Sequence, residues 1–231
     1  MEGFLYVDKP EGWTSFDVVN YVRKIVANLE NKKPRNVKVG HTGTLDPAAT
    51  GLLVLCVGKN YTKKVPELIK QDKTYEVEII LGKTSTTADK EGEITATSAK
   101  KPSLKEVEQA VESFVGEIDQ TPPVFSAIKI DGKRAYDLAR SGKKVEMQSR
   151  RVNILTITDI KYEYPVVSFK TRVGSGTYIR SLAVDIGEKL GTGAYMSNLK
   201  RTSIGDVTID QALAKSDLTP ENLQNILALD S

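Results

Sequence analysis

The chain has 231 residues, and its 33 Lys and Arg against 30 Asp and Glu leave a net charge of only +3, so any attraction for nucleic acid must come from local clusters. One cysteine and one histidine exclude a disulfide framework and a zinc centre built on soft ligands. No stretch approaches the ~20 apolar residues of a membrane span, and the N-terminus carries no signal-peptide pattern, so the expected setting is the cytoplasm.

Phe4 to Val7 is a short run of strand-forming residues that ends in a Pro/Gly turn cluster, Asp8 to Trp13. There Lys9 reads as a solvated turn residue and Trp13 as core. Thr14 with Asp17 fits a capping box, and Phe16, Val19, Val22 and Val26 make a helical stripe over residues 15 to 29. Between 21 and 40, six Lys/Arg face one Glu. That segment is either a solvated loop or a surface for phosphates.

Gly40 to Gly58, GHTGTLDPAATGLLVLCVG, holds both His41 and Cys56. Small and polar residues lead directly into the apolar run Leu52 to Val57, the pattern of a functional loop hung on the start of a buried strand. Gly58 to Gln71 is basic and suits a helix. Tyr75 to Leu81 alternates as a strand with Tyr75 at its first position, and Gly82 to Gly92 is a loop. Ser103 with Glu106 caps a second helix, which Gly116 stops. From 124 to 151, eight Lys/Arg face three acidic residues, with Phe125 and Tyr136 among them. This suits an RNA-contacting insertion as well as an exposed helix and loop. Val152–Ile160 and Val166–Val173 read as paired strands. A third helix follows Gly176-Thr177, buries Ile179, Leu182, Ala183, Ile186 and Leu190, and ends at Gly191. Arg180 falls in its first turn, where the helix dipole disfavours a cation, so an anionic partner is expected elsewhere. A short helical pattern closes the chain.

There is no P-loop, no dinucleotide-binding glycine pattern, no nucleophile elbow and no carboxylate cluster for two-metal chemistry. A lone carboxylate, Asp46, is left as the reactive group. Asp before Pro is also a standard helix start, and the two readings are compatible. A carboxylate can attack a sugar carbon or an electron-poor ring. It then needs a cation to keep it ionised, for which Arg180 is the best candidate, and a flat surface to hold its target, for which Tyr75 is available.

An ordered series of motifs resembles the TruB-type tRNA pseudouridine synthases, relatives of the dyskerin-type enzymes. It comprises Val7-Asp8-Lys9-Pro10, Gly40 to Pro47 with Ala49-Thr50-Gly51, Lys73-Thr74-Tyr75, and the loop with Gly82, Thr84, Thr86, Asp89 and Gly92. It continues through Pro122-Pro123, Phe125-Ser126-Ala127, Lys129, Arg134-Ala135-Tyr136, Gly176 to Leu182 and Leu199 to Thr202. The resemblance implies an α+β pseudouridine synthase fold: a mixed, largely antiparallel sheet flanked by helices, with a basic thumb-like insertion at about 124–151. It implies one catalytic domain over 1–231 with no C-terminal PUA-type domain. The implied activity is isomerisation of uridine to pseudouridine at position 55 in the T-arm loop of tRNA, by base flipping and a covalent intermediate on Asp46. Arg180 matches the arginine that pairs with that carboxylate, and Tyr75 the tyrosine that stacks on the target base. Substrate contacts fall on His41, which fills the space of the flipped nucleotide, and on Tyr178, Leu199, Thr44, Lys9, Lys129, Arg134 and Tyr136. No cofactor, metal, membrane or obligate protein partner is implied, and the protein is expected to be a monomer.

Overall fold

The computed structural model describes residues 1–126, 128–130, 132–141 and 145–229, and for Lys129, Ile130, Lys133, Arg134, Asp137, Arg140, Ala228 and Leu229 the backbone alone. In chain order the elements begin with β1 (Gly3–Lys9), α1 (Ser15–Leu29), β2 (Val39–His41), β3 (Thr50–Val57), α2 (Lys59–Thr62), α3 (Val65–Leu68) and β4 (Lys73–Leu81). They continue with β5 (Lys83–Ser85), β6 (Ile94–Ala96), α4 (Leu104–Glu112), β7 (Gly116–Gln120), β8 (Lys129–Ile130), β9 (Lys133–Arg134), α5 (Ala135–Arg140), β10 (Arg150–Glu163) and β11 (Val166–Val173). The last are α6 (Ile179–Leu190), β12 (Ala194–Ile204), β13 (Val207–Thr208) and α7 (Pro220–Leu229). The chain forms two compact units, Met1–Tyr75 with Leu199–Ser231, and Glu76–Asn198.

In the first unit β1 and β2 each pair antiparallel with β3, β3 pairs parallel with β12 at Lys200↔Thr50 and Arg201↔Gly51, and β13 folds back on β12. Both faces of β3 are covered. Leu53, Leu55 and Val57 pack with Val18, Val22 and Val26 of α1 and Leu223 and Leu227 of α7, while Leu52 and Val54 pack with Ile204. That is why β3 reads as a continuous apolar run rather than an alternation. Each such side chain removed from water contributes about 1.5–3 kcal/mol. Cys56 lies in this strand, fully buried, with its thiol pushed up to about 11 by burial. Gly51 is required at the mouth of the parallel pair. Its φ is +101°, and a Cβ there would sit 2.3 Å from the Arg201 carbonyl oxygen.

In the second unit the sheet runs β4-β11-β10-β7, with β10 antiparallel to both β11 and β7. β5 lies in the segment Gly82 to Gly92 that reads from sequence as a loop and forms a hairpin with β6 just beyond it, and β8 pairs with β9 inside the basic insertion. The mixed, mostly antiparallel sheet and its helices are the α+β architecture expected. Both predicted capping boxes, Thr14–Asp17 and Ser103–Glu106, are formed. Gly191 caps α6 in the left-handed conformation.

Several local expectations change. Gly58 to Gln71 holds two single-turn helices rather than one longer helix. Gly116 does not end α4, which stops at Glu112, but opens β7. Tyr75 is the third residue of β4, not the first. Lys9 is not a solvated turn residue: it is 0% exposed, and its ammonium donates to the carbonyls of Pro10, Trp13 and Pro47 at 2.9, 2.6 and 3.3 Å. Lys143 and Lys144 of the basic insertion lie outside the described residues, as do the side chains of Lys129 and Arg134.

Candidate functional site

In the first unit, the link between β2 and β3 carries Asp46. It is not a helix start. A single turn, closed by the Ala49 N–H on the Asp46 carbonyl at 3.1 Å, leads straight into β3. The backbone on both sides of Asp46 is held from elsewhere in the unit. The hydroxyl of Ser15, first residue of α1, takes the Leu45 N–H at 2.8 Å and donates to the Leu45 carbonyl at 3.0 Å. The Pro47 carbonyl accepts from Gly12 N–H at 2.9 Å and from the Lys9 ammonium. Asp46 itself is partly exposed and Thr44 exposed, while Leu45 between them is buried.

Arg201 of β12 closes the same loop from below. It is 1% exposed, its Nε donates to the Leu52 carbonyl at 2.7 Å, and its Nη2 donates to the Gly43 carbonyl at 3.1 Å. The charge of this buried guanidinium is felt nearby. Burial first, and Arg201 second, hold the His41 imidazole below its ordinary pKa, so it is neutral at neutral pH. Its Nδ1 accepts the Gly43 N–H at 3.3 Å, which assigns the imidazole proton to Nε2. Burial first, then Arg201, also lowers the Lys73 ammonium to about 8. Lys73 donates to the Ile69 and Gln71 carbonyls at 2.9 and 2.7 Å, and its chain runs beside Gly43. Tyr75 and Leu199 are both buried, each 7% exposed. The residue before Tyr75 is tied to β12: the Thr74 carbonyl accepts from Thr202 Oγ1 at 3.3 Å, and the Thr74 hydroxyl bonds Ser203 Oγ at 2.9 Å. His41, Thr44, Asp46, Lys9, Tyr75 and Leu199 thus share one unit.

The second unit holds Tyr178, Arg180 and the basic insertion with Tyr136. Arg180 is 6% exposed, and its guanidinium reaches Thr87, Phe125 and Asp89. Nη1 donates to the Thr87 carbonyl at 3.2 Å, Nη2 to the Phe125 carbonyl at 2.8 Å, and Nε lies 3.7 Å from the Asp89 carboxylate. Asp89 is the anion that a cation in the first turn of a helix requires. It is buried, with its other oxygen taking the Thr87 hydroxyl at 2.5 Å and the Glu91 N–H at 3.0 Å. Tyr178 caps α6 without a side-chain bond of its own; its N–H goes instead to the Gln120 side-chain oxygen at 2.8 Å. Ser181 Oγ donates to the Thr121 carbonyl at 2.7 Å, so residues 178–181 are bracketed by the segment 120–125. Arg150 stacks on the Tyr178 ring, 5.0 Å from its centroid, and donates to the Gly176 carbonyl.

Sequence reasoning named none of Arg201, Gln120 and Ser15 as site residues, and gave Asp89 and Arg201 only as letters of motifs. The misplaced cation at Arg180 signals an anionic partner, but nothing local in the sequence singles out Asp89 as that partner. Arg201 and Gln120 carry no comparable local signal, because their partners lie far away along the chain.

Comparisons with known proteins agree in direction. A family model described as TruB family pseudouridylate synthase (N terminal domain) matches residues 29–179, and one described as tRNA pseudouridylate synthase B C-terminal domain matches residues 180–228. A protein of Clostridium kluyveri named tRNA pseudouridine synthase B is 44% identical over 231 residues, 100% of this chain and 77% of that protein. One of the same name from Parabacteroides distasonis is 43% identical over 228 residues, 98% of this chain and 95% of the other. Among solved structures, a chain in the crystal structure of a Cbf5-Nop10-Gar1 complex is similar at a TM-score of 0.71 and 29% identity; 96% of this chain is matched, spanning only 55% of that one. The first family model alone takes in well over half of the residues, and with these relatives it places the chain in the TruB family of pseudouridylate synthases.

Proposed function

We propose that this enzyme, a tRNA-modifying pseudouridine synthase, converts the uridine at position 55 in the T-arm loop of tRNA, and that Asp46 carries the reaction through a covalent bond to the substrate. The observation that carries the reading is the anchorage of Asp46: its two neighbours are held by Ser15, Lys9 and Gly12, while the residue itself is only partly buried. A nucleophile needs its backbone fixed, so that the reacting group is held in one place.

The reaction is an isomerisation. The N1–C1′ bond breaks, the detached base turns, a C5–C1′ bond forms, and the C5 proton leaves as N1 gains one. Asp46 bonds to the substrate between these steps and is released unchanged. The base must leave its stack to be reached, at a cost of a few kcal/mol. Stacking on Tyr75 returns about 1–3 kcal/mol, and His41, neutral and therefore easily desolvated, fills the vacated space. Arg180 is the counter-charge for the reacting carboxylate, and Tyr178 and Leu199 line the place of the base. Lys129, Arg134, Tyr136 and Thr44 contact the RNA, with Lys9 as support beneath the loop. The protein acts as a monomer in the cytoplasm, with tRNA as its partner.

The test is release of tritium from C5-labelled uridine in a tRNA transcript. Wild type releases it; Asp46→Asn does not, while its Kd for the transcript stays within about threefold. Turnover by Asp46→Asn would overturn the assignment of the nucleophile, and a silent wild type would overturn the activity.

A further inference from the structure

Among the described residues, four buried side-chain atoms lack a hydrogen-bond partner: Thr42 Oγ1, Gln120 Nε2, Ser126 Oγ and Arg150 Nε. Three belong to the second unit, and each is one link from Tyr178 or Arg180. Gln120 accepts the Tyr178 N–H, Arg150 stacks on the Tyr178 ring, and Ser126 follows Phe125, whose carbonyl takes Arg180. A buried polar atom without a partner costs free energy and is rare in native proteins. Three around one turn of chain mark a place where a polar ligand completes the set.

Gln120 is the best defined. It is 1% exposed, at the end of β7. Its amide orientation is dictated by chemistry. The Tyr178 N–H is a donor, so the oxygen must face it, and the unpartnered atom is the NH2 group, which only donates. We propose that Gln120 reads the base: Nε2 donates to a carbonyl oxygen of the uracil being isomerised, while Oε1 holds Tyr178 in place. This rests on the reading of the chain as a tRNA uridine isomerase. Uracil offers two carbonyl acceptors, at C2 and C4. Cytosine carries an amino donor at C4, so a buried donor facing that edge would reject it, as a site built to bond one group rejects an analogue lacking it.

The experiment is a substrate–enzyme cycle. Transcripts with uridine, 4-thiouridine or 2-thiouridine at the target position, each tritiated at C5, are turned over by wild type and by Gln120→Met. Sulfur is the weaker acceptor, so wild type slows about tenfold on one thio substrate, and which one identifies the oxygen. Gln120→Met slows about tenfold on uridine and shows no further loss on that same thio substrate. If the two losses multiply instead, Nε2 is satisfied by a buried water or serves only the fold, and the proposal is overturned. Gln120→Glu keeps the acceptor for Tyr178 and removes the amide donor, so it carries the cycle if Gln120→Met does not fold. Wild-type rate and thio sensitivity in a folded Gln120→Glu would likewise overturn the proposal. A wild type inactive on unmodified uridine would instead sink the isomerase reading.

Discussion

Ser15 Oγ grips both polar groups of one peptide residue, taking the Leu45 N–H at 2.8 Å and donating to the Leu45 carbonyl at 3.0 Å. One hydroxyl at the start of α1 therefore sets the backbone immediately before Asp46. Ser15→Ala strands two buried groups and costs about 1–3 kcal/mol in denaturant melts. Single-turnover tritium release falls more than about tenfold, with Kd for tRNA unchanged. A loss of stability without a loss of rate would show that the clasp does not serve Asp46.

Arg201 joins the two ends of the Asp46 loop through the Gly43 and Leu52 carbonyls. Arg201→Met fills similar space but removes the guanidinium's bonds to both carbonyls, so the turnover rate falls more steeply than RNA affinity. Arg201→Lys restores only part, since an ammonium cannot present the guanidinium fork. Guanidinium ion added to Arg201→Gly is expected to recover some of the rate. Equal rates in wild type and Arg201→Met would refute the clamp.

Asp89 and Arg180 form a buried pair in the second unit. Asp89→Asn preserves shape and one acceptor but removes the charge. Breaking such a pair costs about 3–5 kcal/mol, and the retained acceptor puts this variant near the lower end. Turnover drops because the guanidinium loses its orientation. The check is the ratio of Asp89→Asn to Arg180→Met rates: if Asp89 acts through Arg180, the double variant is no slower than Arg180→Met.

Lys73 titrates at about 8, held down first by burial and then by the Arg201 charge. An amine-acylating reagent should label it half-maximally near pH 8, and Arg201→Met should move that midpoint upward. The sign for stability follows from linkage. The folded pKa lies below the unfolded one, so the unfolded chain binds more protons between about 8 and the ordinary lysine value of about 10.4. Lys73 therefore disfavours folding fully below pH 8, and that penalty is relieved as pH rises through this window. Parallel stability profiles for wild type and Lys73→Met from pH 7 to 10 would contradict it.

Elements with a strong local period were legible in the chain. α1 spans Ser15–Leu29 as its stripe and capping box predict, and α6 ends at Gly191 as its glycine predicts. β12 and β7 were not, because Ala194 to Ile204 mixes Lys, Arg, Ser and Asn with apolar residues and β7 is five residues led by a glycine. Their strand character comes from pairing with distant partners rather than from their own pattern.

The candidate residues of the two units divide along the same line. Asp46, Tyr75 and Arg180 stand out in the linear chain because residue type, spacing and motif order are local properties. What holds them is not local. Arg201 is 158 residues from the carbonyl it takes at Gly43, Gln120 is 58 from Tyr178, and Asp89 is 91 positions before Arg180. Lys9 shows the consequence: from its neighbours it is a solvated lysine in a Pro/Gly turn, and in the fold it is a buried ammonium that secures Pro47 beside Asp46. Burial and hydrogen-bond partnership are set by which segments the sheet brings together, and a buried charge is tolerated only where those segments supply its acceptors.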